Sequence, residues 1–276
     1  MSVLEIRHLT VTVGARDLVR ALGCRIEAGE LLGLIGPNGA GKSSVVKAIA
    51  QLLPYRGDVE LDGRPIRQMT GRERATALAY LSQDDRLQWP ISVHDLVALG
   101  RHPHRGSWWR GAGPTATADR LAIEAALHAT DAWGLRTRRV DELSGGERAR
   151  VRLARVLAVQ ARALLADEPV AALDPLHQLQ VMQLLHEQCR RDGTAVIVVL
   201  HDLTLASRFC DRLLLLHEGI PIAIGSIEQV LTAENLLRVY GIRAVIGEHA
   251  GQRYIVPWES ETGIPAGGSR SGTVHR

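Results

Sequence analysis

Nine consecutive residues, Gly36-Pro37-Asn38-Gly39-Ala40-Gly41-Lys42-Ser43-Ser44, are built to hold an anion. Glycines let successive backbone N–H groups converge on one charge, because no Cβ blocks the approach. An apolar run, Leu31 to Ile35, leads in as a buried strand. Val45, Val46, Ile49, Leu52 and Leu53 lead out on one helical face that Pro54 is expected to stop. The helix turns its positive end toward the loop. Strand, glycine-rich loop, Lys-Ser and helix together make the phosphate-binding P-loop pattern. Lys42 then reaches the β- and γ-phosphates of a nucleotide, and the Ser43 hydroxyl is offered to Mg²⁺.

A second candidate is Ala163-Leu164-Leu165-Ala166-Asp167-Glu168-Pro169, an apolar strand ending in two carboxylates. Side chains alternate along a strand, so Asp167 and Glu168 are expected to face different ways. One can hold Mg²⁺ while the other addresses an attacking water. Alone, such a strand end is often only solvated; behind a P-loop it gains meaning. Leu143-Ser144-Gly145-Gly146-Glu147 opens an arginine-rich helix and is a second anion-binding terminus. By itself Ser-Gly-Gly reads as a plain N-cap. Arg148, Arg150, Arg152 and Arg155 read as a solvated or ion-paired face.

Elements must place these groups. Val3–Arg7, Thr10–Val13, Leu18–Ile26, Asp58–Gly63 and Ala77–Gln83 read as strands or strands running into turns. Ser92–Gly100 and Thr117–Thr130 have helical periodicity, inside a helical insertion running from about 84 to about 158. Strand-like runs return at Ala163–Ala166, Ala195–Leu200 and Leu213–Leu216, with helices between them. Alternation of this kind predicts an α/β fold with a mainly parallel sheet. The Gly-, Ser-, Pro- and Arg-bearing residues 260–276 have little to bury and read as disordered.

Composition narrows the function. Across 276 residues, 33 Lys and Arg against 30 Asp and Glu give a net charge of +3, too small to argue for nucleic acid. Aromatics at 4% also count against a base-stacking surface. Cys24, Cys189 and Cys210 are too widely spaced for a metal or redox pattern and read as buried, reduced thiols. Met1 to Arg7 lacks a signal peptide's basic region and apolar core. No apolar run approaches the roughly 20 residues that span a bilayer, so membrane association is expected through a partner.

Taken in order, the P-loop, Leu-Ser-Gly-Gly-Glu, Leu-Leu-Ala-Asp-Glu-Pro and a strand ending in His201-Asp202 resemble the ATP-binding subunit of an ABC transporter over about residues 3–245. The resemblance implies a P-loop NTPase core, an N-terminal antiparallel β subdomain and a helical insertion subdomain. These form one ABC ATPase domain over 1–259: a core of about 1–83 and 159–259, and a helical part of about 84–158. It implies a head-to-tail pair, each ATP lying between one subunit's P-loop and the other's Ser144-Gly145-Gly146. Asp167 is then near Mg²⁺, Glu168 is the general base and His201 touches the γ-phosphate. Gln83 touches Mg²⁺ and the water, and Asp174 belongs to the loop crossing the dimer interface. Three positions depart from the family pattern: Val13 stands where an aromatic usually stacks on adenine, Glu147 where glutamine is commoner, and Ala171 where serine often lies.

Val97-Ala98-Leu99-Gly100-Arg101-His102-Pro103-His104, the Leu200–Asp211 segment and Val230…Val239-Tyr240-Gly241 resemble the importer branch for iron–siderophore complexes, haem and cobalamin. That branch implies polytopic permease partners, indirectly a substrate-binding protein, and a place on the cytoplasmic face of the inner membrane. His102, His104, Trp108 and Trp109 suggest a docking loop more than a metal site, since no third ligand accompanies the imidazoles. Other readings are a soluble ABC-type ATPase acting in nucleic-acid, ribosome or cofactor-assembly processes, and a nucleotide-dependent kinase or GTPase. One P-loop, no heptad run and no base-selective motif count against them.

Overall fold

The computed structural model describes residues 2–83, 90–104, 115–171 and 173–260. The chain opens with β1 (Ser2–Val13) and β2 (Arg16–Glu27), antiparallel to each other. After β3 (Leu31–Ile35) and α1 (Lys42–Ile49) come β4 (Arg56–Leu61) and β5 (Arg64–Pro65), which complete a four-stranded sheet of order β2-β1-β4-β5. Next are α2 (Gly71–Ala77), β6 (Leu78–Leu81), α3 (Val93–Ala98), α4 (Thr115–Ala129) and α5 (Gly145–Leu157). The rest alternates: β7 (Ala163–Asp167), α6 (Pro175–Asp192), β8 (Ala195–Val199), α7 (Leu203–Phe209), β9 (Arg212–His217) and β10 (Ile220–Gly225). It closes with α8 (Ile227–Val230), α9 (Ala233–Tyr240) and a hairpin of β11 (Ile242–His249) and β12 (Gln252–Ser260).

The central sheet has order β10-β9-β3-β8-β7-β6, and β9, β3, β8, β7 and β6 run parallel. Strands β3, β7 and β8 are buried at every residue, as expected where both faces are covered. Their alternation sorts the core. Leu31, Leu164 and Val196 face Met182, Leu185 and Cys189 of α6. Leu32, Leu34, Leu165 and Ile197 face Val46 and Ile49 of α1 and the buried side of the N-terminal sheet. A third cluster joins Val93, Leu96 and Val97 of α3, Ile123 and Leu127 of α4, and Val151 and Ala154 of α5. Leu153 and Val156 of α5 enter the central-sheet core instead, so this helix belongs to both. Among the described residues no helix is long and apolar enough to cross a membrane.

Several boundaries differ from the sequence reading. Val3–Arg7 and Thr10–Val13 are one strand interrupted by a register shift, with His8 at φ +52°. Helix α1 ends at Ile49 rather than at Pro54: the chain turns at Gln51 (φ +62°), and Leu52 is 59% exposed instead of sharing the buried face. Strand β6 starts at Leu78 because α2 occupies the preceding residues, begun by a Thr70–Glu73 capping box. The sequence reading lacks the terminal hairpin, and Ser260, expected to open a disordered tail, instead pairs with Ile242 as the last residue of β12; residues 261–276 lie outside the described residues. Cys189 and Cys210 are buried, Cys24 is half-buried, and all three are free thiols.

The 101–104 segment also departs from a surface loop. Residues Leu99–His104 form a tight helical turn, and Arg101 is only 5% exposed. Its Nε donates to Asp119 Oδ1 at 2.8 Å, and its Nη1 donates to the carbonyls of Ala158 (2.8 Å) and Val159 (3.3 Å). The guanidinium thus closes the carboxyl end of α5, where unsatisfied carbonyls and the helix dipole favour a cation. His104 Nε2 lies 2.8 Å from the Val159 carbonyl while His102 is exposed, so the two imidazoles do not converge. Trp108 and Trp109 lie outside the described residues.

Removing Arg101 takes a buried guanidinium away from the Asp119 carboxylate and from the carbonyls at the end of α5. Arg101→Ala should lower stability to urea by about 3–5 kcal/mol, and the double change Arg101→Met with Asp119→Leu by much less. Equal losses in the two variants would show that the pair is not the source.

Candidate active site

The phosphate loop begins where β3 ends. Gly36 has φ +149°, and a Cβ there would stand 2.1 Å from the Leu216 carbonyl oxygen. Gly41, at φ +100°, would bring a Cβ to 2.4 Å from the Leu18 carbonyl oxygen. Both positions therefore admit only glycine, and the loop lies against β2 and β9. Ala40 N donates to Pro37 O at 3.2 Å, and Asn38 and Gly39 stand exposed at the rim. Gly41 is the N-cap of α1 and supplies no capping side chain, so the helix end is left for an anion. Lys42 Nζ donates to Gly36 O at 2.7 Å and Pro37 O at 2.9 Å, holding the ammonium over the loop. Burial pushes its pKa down, while Glu168 and Asp167 pull it back up. Ser43 and Ser44 follow in the first turn of α1, both half-buried.

Asp167 ends β7, almost fully buried, and its Oδ1 accepts from Ser43 Oγ at 2.9 Å. Burial raises its pKa against the lowering effect of Ser43. The carboxylates do diverge as strand alternation predicts, but Glu168 has already left the strand, at φ +52°. That left-handed turn brings its two oxygens between two other strand ends. Gln83 Nε2 donates to Oε2 at 2.6 Å, and His201 Nε2 lies 2.6 Å from Oε1. Two residues separated by long stretches of chain thus converge on the Glu168 carboxylate, beside the Ser43–Asp167 pair. The arrangement can fix a carboxylate for proton transfer next to a phosphate cradle.

Elsewhere the predicted residues form a separate surface. Ser144 is the N-cap of α5 in a full capping box: its Oγ accepts from Glu147 N at 3.3 Å, and Glu147 Oε2 accepts from Ser144 N at 2.8 Å. The Ser144 N–H holds the Glu147 carboxyl below the usual carboxylate range, and Arg138 Nη1 donates to its Oε1 at 3.1 Å. Glutamine could close the same box but could not pair with Arg138. Gly145 is exposed beside Ser144. Asp174 caps α6 by accepting from His177 N at 3.1 Å. Among the described residues no hydrogen bond joins Ser144, Gly145, Gly146 or Asp174 to the P-loop, Glu168 or His201. Val13 stands at the end of β1, 48% exposed and paired with Arg16. The arginine face of α5 is partly as expected: Arg150 pairs with Asp131, but Arg152 turns inward to the carbonyls of Ser82 and Gln83.

A family model for the ABC transporter matches residues 19–171. The chain belongs to the ABC transporter family. Among its relatives, the hemin import ATP-binding protein HmuV of Pseudomonas entomophila is 42% identical over 252 residues, covering 89% of this chain and 95% of that one. The protein of the same name from Streptomyces coelicolor is 41% identical over 255 residues, covering 91% and 89%. Among solved structures, an inward-facing ABC transporter of the metal-chelate type matches with TM-score 0.79 over 94% of this chain and 98% of that one, at 23% identity. A dimeric bacterial ABC transporter cassette matches with TM-score 0.71 over 82% and 99%, at 25% identity. This ABC cassette is accordingly an ATP-binding ATPase with the fold of that family.

Sequence reasoning missed two groups that brace the cassette's site. Tyr80 OH lies 3.4 Å from Asp167 Oδ2, and Arg152 ties α5 to the Ser82–Gln83 segment. Tyr80 lay inside an apolar strand and Arg152 inside a run of arginines, so neither carried a local signal.

Gly41→Ala tests the loop geometry. The left-handed backbone alone costs an L-residue about 1–2 kcal/mol, and the contact with Leu18 O adds displacement of β2 or α1. A lower melting temperature and loss of fluorescent-ATP binding are expected; wild-type affinity would show that the loop tolerates a side chain there.

Proposed function

We propose that this cassette powers a hemin importer: ATP closes a head-to-tail homodimer, and hydrolysis reopens it. The observation that carries the hydrolytic part is the Glu168 carboxylate held between Gln83 and His201 beside the phosphate loop. The cargo reading is supported by the 42% identity to a protein named for hemin import, over nearly its whole length.

In this reading the ATP phosphates lie on the Gly36–Ser44 loop, with Lys42 at the β- and γ-phosphates. Glu168 takes a proton from water as its oxygen attacks the γ-phosphorus; the bond to the bridging oxygen breaks, giving ADP and inorganic phosphate. Gln83 and His201 orient Glu168, and His201 is also within reach of the γ-phosphate. The donor set suits Mg²⁺: Ser43 Oγ and Asp167 Oδ1 are hard oxygens 2.9 Å apart, with few protein ligands, as expected for an ion held largely by nucleotide phosphates and water. Bound Mg²⁺ would neutralise charge on the β- and γ-oxygens. Adenine rests on Val13 through apolar contact alone.

Ser144-Gly145-Gly146 at the mouth of α5, together with Asp174, offers donors to the nucleotide of a second copy. Splitting the donors between subunits makes closure complete the site, so binding can do mechanical work. The cassette sits on the cytoplasmic face of the inner membrane through polytopic permease subunits that receive hemin from a substrate-binding protein. No nucleic acid takes part.

Glu168→Gln should keep ATP affinity, lose about 10²–10⁴-fold in turnover and accumulate as an ATP-bound dimer. Lys42→Ala should lose ATP binding. In the native host, deleting the gene should abolish growth on hemin as sole iron source, and the Glu168→Gln allele should not restore it. Normal turnover in that variant would sink the general-base assignment, and unimpaired hemin growth in the deletion strain would sink the cargo.

A further inference from the structure

His177 has no part in the scheme above, yet its ring touches both elements assigned to the partner's nucleotide. It lies in the first turn of α6, and its Nδ1 is 2.6 Å from Asp174 Oδ2 while its backbone N–H donates to Oδ1. The far edge of the ring lies on Gly146. A Cβ added there would stand 3.2 Å from Nε2 and 3.3 Å from both Cδ2 and Cε1. Gly146 does not have a positive φ, so a side chain there would be opposed by the ring, which would have to give by a few tenths of an ångström, and not by the backbone.

Further along, the two helices share one core: Leu153 and Val156 of α5 lie in the same cluster as Val181, Met182 and Leu185 of α6, whereas no residue of the first turn of α5 belongs to it. Past the first turns a cavity of about 210 Å³ is lined by Arg150 and Leu153 of α5 and by Val181 and Leu184 of α6. The imidazole itself bridges the two amino-terminal turns, bonded to Asp174 on one side and lying against Gly146 on the other.

We propose that His177 is a positioning residue that locks Ser144-Gly145-Gly146 and the Asp174 loop into one rigid face, so that both reach the partner's nucleotide together. This rests on the head-to-tail reading. The carboxylate fixes the ring by its Nδ1–H, and the ring fixes the height of α5 above α6. His177 itself touches no nucleotide in its own subunit, so its loss should spare ATP binding and impair closure.

The test uses the full chain carrying Glu168→Gln, with ATP-dependent dimerisation followed by analytical ultracentrifugation. Adding His177→Ala should leave ATP affinity of the monomer within about twofold but raise the dimer dissociation constant about tenfold or more. In the otherwise wild-type chain, kcat should fall about tenfold at nearly constant KM. His177→Asn keeps a donor for Asp174 without the ring, and His177→Phe keeps the ring without the donor; each should restore only part of the loss. Unchanged dimerisation in His177→Ala, full activity in either conservative variant, or a parallel loss of ATP affinity and melting temperature would overturn the assignment. If Glu168→Gln alone fails to dimerise with ATP, the head-to-tail reading falls and takes this role with it.

Discussion

The parallel register of the central sheet is the constraint on which the site depends. Leu34 pairs with Val199, Val199 with Asp167, and Ala166 with Leu81, so β3, β8, β7 and β6 end side by side. From that single edge the chain delivers the Gly36 loop, His201, Asp167 with Glu168, and Gln83. Parallel strands require long crossovers, which explains how residues far apart in sequence reach one carboxylate. A slip of one residue in any strand would turn its terminal side chain to the wrong face. Burial of β3, β7 and β8 on both sides makes that slip costly, because each interior strand is specified by two cores at once.

On this edge one local strain places the Glu168 carboxylate. Glu168 adopts a left-handed backbone, at a cost of about 1–3 kcal/mol for a residue with a side chain. An extended residue would continue the alternation of β7; the turn instead swings the carboxylate toward Gln83 and His201. Hydrogen bonds from both neighbours offset that cost and hold the geometry. Lys42 shows the complementary effect: burial lowers its pKa, and the carboxylates of Glu168 and Asp167 oppose that only in part. Its ammonium is held by the carbonyls of Gly36 and Pro37.

Helix termini organise the second surface. Side-chain caps start α5 and α6 at Ser144 and Asp174, while α1 starts at a glycine with no capping side chain. The first turn of α1 is left without a side-chain cap, whereas α5 begins with a capping box that fixes Ser144 and Glu147. Arg101 seals the opposite end of α5, so the helix is constrained at both termini. Between those ends it packs into both the helical cluster and the central-sheet core.

The local signals were strong wherever one stretch of chain carries its own physics. Glycines before Lys42-Ser43, the apolar runs of β3, β7 and β8, and the Ser144 and Asp174 segments are each readable because backbone geometry and capping act over a few residues. Their order along the chain identified the family and the α/β core. Short-range reading failed where a boundary depends on packing: α1 stops at Ile49, ahead of a turn at Gln51, and α2 takes Ala77 from an expected strand. It also missed Arg101, Arg152 and His177, polar residues whose partners are distant or whose neighbour is simply a glycine. The sequence alone determined which groups can bind phosphate and accept a proton. Tertiary structure decided which of them meet, because hydrogen bonds and close contacts act over about 3 Å, and only the packed sheet and helices bring such separated residues within that range.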